Sequence, residues 1–104
     1  MGFGEIIIRK IQNNENANIG CYEISSNHFD IDNFFMCINK TTKIIKFFAS
    51  NNFNENPIRI VDYNKNERLG YVPGVPTTVL GIVLLRAFKV LKMDTFPESL
   101  SYAA

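Results

Sequence analysis

Residues 70–92 read GYVPGVPTTVLGIVLLRAFKVLK, and this stretch decides the fold. Pro73, Gly74 and Pro76 bar a helix upstream of Thr77, whose hydroxyl is placed to cap a first turn. Val79, Leu80, Ile82, Val83, Leu84 and Leu85 follow with almost no polar interruption. Arg86, Lys89 and Lys92 come only in the second half, where cations suit the negative end of the helix dipole. The pattern predicts one helix over residues 77–92. Its first two turns are apolar all round, so it is expected to be enclosed by protein. Gly81 within it costs about 1 kcal/mol relative to alanine and is expected to mark a close approach of helix to sheet.

Working back from the helix, β-branched and aromatic runs alternate with asparagine-rich turns. Ile6, Ile7, Ile8 and Ile11 predict a first strand, and the polar run over residues 13–18 a loop. Residues 19–25 predict a second strand. Residues 34–38 and 44–49 predict a hairpin joined at Asn39, Lys40, Thr41 and Thr42. Opposing Ile38 to Lys43 gathers Phe34, Met36, Ile38, Ile45 and Phe47 on one face. The other face carries Phe35, Cys37, Ile44 and Phe48, interrupted by Lys46. Neither face is polar enough to be fully solvated. One is expected under the helix, the other covered in part by loops, a second copy or a partner. Pro57 opens a fifth strand through Ile58, Ile60 and Val61, and residues 69–72 form a short edge segment. Strands followed by one helix predict an α+β fold: a largely antiparallel sheet of about five strands packed on one C-terminal helix, in a single domain over residues 1–104.

Composition narrows the function. The chain has 104 residues, 46% hydrophobic and 20% charged, as in a globular domain that can bury its own core. Thirteen asparagines and thirteen isoleucines fit an A/T-rich coding sequence, and the asparagines fall mostly between apolar runs, as turn residues should. A net charge of +1 argues against a general nucleic-acid binder. The charge is uneven: residues 1–35 carry two bases against five acids, and residues 36–104 nine bases against five acids. An acidic patch in the first part is therefore expected to face a basic partner. No stretch has the form of a signal peptide or a membrane span, which predicts a cytoplasmic protein with reduced thiols at Cys21 and Cys37.

Catalytic motifs are missing. His28 is the only histidine, so a nucleophilic pair would have to use it, and it lies in an Asn27–Asp30 turn where an exposed role is expected. One histidine with two cysteines sixteen positions apart has no zinc spacing, and the glycines form no phosphate-binding loop. No catalytic group, cofactor or metal is expected. Lys43, Lys46, Phe47, Phe48 and Phe53 interleave bases with aromatics as in single-strand binders, but also as in the two faces of a core hairpin with exposed lysines.

The hairpin FFMCINKTTKIIKFFAS, the strand NPIRIVDYN, GYVPGVP before the helix, LLRAFKVLK within it and the ending FPESLSY together resemble the immunity proteins of bacterial contact-dependent growth inhibition systems. The resemblance covers about residues 33–102. It implies a non-enzymatic cytoplasmic inhibitor that binds the C-terminal toxin domain of one cognate effector, often a nuclease. The partner is then a protein, with no nucleic acid and no membrane involved. On this reading Glu15, Glu23, Asp30 and Asp32 supply charged contacts, with Tyr22, His28 and Phe29 as anchors beside them. The alternatives are a small homodimeric interaction domain, and a nucleic-acid or ligand-binding module using the basic, aromatic second half.

Overall fold

Period-two alternation in the first sixty residues builds an antiparallel sheet, seen in a computed structural model that describes residues 5–14, 18–26, 30–65, 72–100 and 102–103. Its strands are β1 (Glu5–Asn14), β2 (Ile19–Ser26), β3 (Phe34–Asn39), β4 (Ile44–Phe48), β5 (Arg59–Asp62) and β6 (Tyr102–Ala103). The order across the sheet is β5-β4-β3-β2-β1-β6, each neighbouring pair antiparallel. The first five form a meander of nearest neighbours, and the short β6 returns to the free edge of β1. One helix, α1 (Thr77–Val90), lies on one face. The α+β architecture expected from sequence is the one observed, with β6 as an additional strand.

Alternation sorts the side chains. Ile6, Ile8, Tyr22, Ile24, Phe34, Met36, Ile38, Ile45, Phe47 and Val61 point to the helix and are buried with Val79, Leu80, Val83, Leu84, Ala87 and Val90 of α1. In the β3–β4 hairpin Ile38 pairs with Ile45, not Lys43. The reason is the turn. Lys43 adopts a left-handed φ of 59° and donates its N–H to the Asn39 carbonyl at 2.8 Å, so residues 40–43 all lie outside the ladder. A shift of two positions preserves the faces, which is why their expected composition still holds. In β1 the register changes between Lys10 and Gln12, and this bulge leaves Ile11 44% exposed.

Three expectations about the helix are corrected. The N-cap residue is Pro76, and no side chain caps the first turn, so Thr77 lies within the helix and not before it. The helix is not enclosed: Leu85 is 64% exposed, while its neighbour Leu84 is 2% exposed. Gly81 does not mark an approach to the sheet, because it lines the outward groove together with Ile82 and Leu85. The expected edge segment over residues 69–72 lies outside the described residues except for Val72, which is buried.

The chain leaving the helix is tied down across the sheet. Leu100 N–H donates to the Ile8 carbonyl at 2.8 Å, and Lys10 N–H to the Glu98 carbonyl at 2.9 Å. Lys40 Nζ donates to the carbonyls of Met93 (2.7 Å) and Thr95 (2.9 Å) and sits 4.3 Å from the Phe96 ring centre. Phe96 lies directly over Gly20, where any Cβ would overlap its ring. That strand glycine is required for the close approach.

Tyr22 anchors this tail from within. It is fully buried, and its hydroxyl donates to the Pro97 carbonyl at 2.7 Å. Burial, with a smaller contribution from Glu98, pushes the phenol well above its ordinary pKa. The unfolded chain therefore releases this proton first. Its contribution to stability is complete below about pH 10 and is lost as pH rises beyond it. Thermal melts of wild type and Tyr22→Phe across about pH 8–11 should show the wild type losing part of its advantage at the alkaline end. Parallel curves would contradict this assignment. At neutral pH the substitution should cost about 1 kcal/mol for the lost hydrogen bond.

Candidate protein-binding face

The face of the sheet turned away from α1 carries the other half of each strand. Its cross-strand rows follow from the register: Arg9, Glu23, Phe35 and Phe48 form one, and Gln12, Cys21, Cys37, Lys46 and Ile60 the next. Asn14, Ile19, Asn39, Ile44 and Asp62 form the third. Phe53 reaches over this face from the β4–β5 loop, with its ring 5.2 Å from Phe48 and 6.4 Å from Phe35 in edge-on contacts. Between Phe53 and the amide side chains of Gln12, Asn14 and Asn39 lies a depression of about 340 Å³ with Cys21 and Cys37 in its lining. Ile60, at the β5 edge, is 48% exposed.

The two cysteines are a register pair with Cα atoms 4.1 Å apart, and they form a disulfide. This corrects the expectation of two reduced thiols. That the two could face each other on neighbouring strands was legible from the sequence, where two buried thiols were expected over a redox pair. The signal, had the β2–β3 register been known, was that both residues lie out of phase with the core positions Tyr22 and Met36.

The expected partner-binding residues are distributed as follows. Glu23 lies on the open face, 4.0 Å from the Arg9 guanidinium, and accepts a hydrogen bond from Asn33 Nδ2 at 3.3 Å. Asp30 and Asp32 are exposed in the β2–β3 connection at the same end of the sheet. Asp32 lines a smaller cleft with Asn33, Ile58 and the Pro73–Val75 turn before α1. Tyr22 is no surface anchor, because alternation turns it into the core. Glu15, His28 and Phe29 lie outside the described residues. Sequence reasoning missed Phe35, Phe48 and Phe53 as the aromatic group beside Glu23: the shared face of Phe35 and Phe48 was legible from the hairpin, and the place of the loop residue Phe53 was not. Phe47 points the opposite way into the core, which splits the aromatic platform that a single-strand binder would need.

A second apolar surface runs along the outside of α1, where Thr77, Thr78, Gly81, Ile82, Leu85 and Phe88, with the buried Leu84 at its floor, border a groove of about 600 Å³. Among the described residues no cluster of three or more His, Cys, Asp or Glu is placed to hold a metal ion, and no helix is long and apolar enough to cross a membrane. No family model, curated protein or solved structure matches this chain.

Proposed function

We propose that this chain is a cytoplasmic immunity protein that neutralises a toxin domain by binding it, without turnover, and that it holds the toxin on the open face of the sheet. The observation that carries the proposal is one-sided packing: α1 covers one face, and the other carries the half-buried Phe35 and Phe53, packed around the buried Phe48, beside Glu23. Asp30 and Asp32 stand exposed at that same end. An aromatic centre with a charged rim is the arrangement in which anchors supply affinity and rim charges set association rate. The sequence resemblance supports a toxin domain as the kind of partner.

The test is a complex with the toxin domain encoded beside this chain, followed by binding kinetics at low and high salt. Reversing Asp30 and Asp32 to lysine should slow association about tenfold at low salt and flatten its salt dependence, with little change in dissociation. Failure to form the complex would end the immunity reading. An unchanged salt slope would move the contact away from this rim. A homodimer through the same face is the second reading, favoured by the exposure of Ile60; sedimentation over a range of concentrations separates the two.

A further inference from the structure

We infer that Cys21 and Cys37 form a reversible thiol–disulfide exchange site, with Cys37 as the reactive sulfur and small thiols as its co-substrates. Both residues sit on the open face, in the lining of a depression, and not in the helix-side core. Cys21 is 3% exposed, whereas Cys37 is only partly buried, so a reagent entering the depression meets Cys37 first.

The pairing does not depend on the bond. The β2–β3 ladder is continuous from Ile19 opposite Asn39 to Ile24 opposite Phe34, and it holds the two Cα atoms at the narrow spacing of directly facing strand residues. After reduction the thiols therefore remain opposed, and the bond can re-form without rearrangement of the chain.

Charge distinguishes the two sulfurs. Lys46 of β4 is the direct cross-strand neighbour of Cys37 on the same face, and both line the depression. Cross-strand neighbours stand about 5 Å apart at Cβ, which is within the span of a lysine side chain, so an ammonium folded toward the sulfur favours its thiolate. The other charged groups on this face are farther along the rows. Glu23 on β2 is engaged by Arg9 of β1 and by Asn33, and Asp62 on β5 accepts from the Asn64 N–H. The β4–β5 loop places the uncharged Phe53 over the depression, and its Glu55 accepts from Ser50. Lys46 is thus the charge that directly faces Cys37.

The exchange balances as follows. An external thiolate attacks Cys37 Sγ, the bond to Cys21 Sγ breaks, and its electron pair leaves on Cys21, which takes up a proton. A second external thiolate attacks the outer sulfur of the mixed disulfide and releases the Cys37 thiolate. Two small thiols are oxidised to one small disulfide while the protein disulfide becomes two thiols. Oxidation by a small disulfide is the reverse.

The experiment uses the full chain with reduced and oxidised glutathione as probes. After equilibration at graded ratios, acid quench and alkylation, mass analysis should show two states that differ by two alkyl groups and interconvert in both directions. In the reduced protein Cys37 should alkylate at least about tenfold faster than Cys21, because the thiolate is the reactive form and access decides which one is met. Lys46→Met should slow Cys37 alkylation about threefold near pH 7 and move its pH midpoint upward, with the difference fading at alkaline pH. Lys46→Arg should restore the wild-type curve. The proposal is overturned if both cysteines alkylate equally fast, if Lys46→Met leaves the curve unchanged, or if one redox state persists at every ratio.

Discussion

Leu84→Ala is expected to lower the free energy of unfolding by about 2–5 kcal/mol, and Leu85→Ala to change it by no more than about 0.5 kcal/mol. The two leucines are adjacent in an apolar run and indistinguishable by composition. Their environments differ: Leu84 is 2% exposed in the cluster that joins α1 to the sheet, and Leu85 is 64% exposed on the outer side of the helix. Truncating the first removes buried methyl groups and leaves a cavity. Truncating the second gives up little buried area. A domain of this size holds roughly 5–15 kcal/mol in all, so the first change takes away a large share. Urea midpoints of the two variants read the difference directly. Similar losses in both would mean that the helix is enclosed and that the outer groove does not exist in solution.

The other large expected effect concerns binding. Ile44 lies on the open face beside the depression, while Asn39 and Asp62 are its cross-strand neighbours. Replacing it with lysine puts a charge on the open face where a bound partner would cover it, next to the Asp62 carboxylate that tolerates it in the free protein. A charge desolvated under a bound partner costs about 2 kcal/mol or more, or roughly thirtyfold in affinity. Leu85→Lys places the same charge on the outer side of α1 and serves as the matched control.

Much of the fold was legible because burial in a sheet follows a period of two. The split of Phe34, Met36 and Ile38 from Phe35 and Cys37 follows from alternation alone, and it survived a register displaced by two positions. The helix was equally plain, since prolines stop everything before Thr77. What hydropathy could not show is which side of an apolar helix meets the sheet. Val79 to Leu85 contain both Val83, fully buried, and Leu85, largely exposed, and only the tertiary contacts separate them. Long-range pairing was hidden for a similar reason. The tail strand β6 is two residues long, and nothing local says that residues near 100 return to β1. The candidate site was half visible. Asp30 and Asp32 are exposed and Glu23 is half-buried, but Tyr22 was placed outside, although it is in phase with Ile24 and out of phase with Glu23. The disulfide depended on register, which no spacing rule supplies.

On the proposed function, the open face of the sheet holds the toxin domain. The most direct measurement is the affinity of wild type, Ile44→Lys and Leu85→Lys for that domain, with circular dichroism melts confirming that all three are folded. Ile44→Lys should lose about thirtyfold or more while Leu85→Lys stays within about threefold of wild type. The opposite order would contradict it and place the partner on the outer groove of α1.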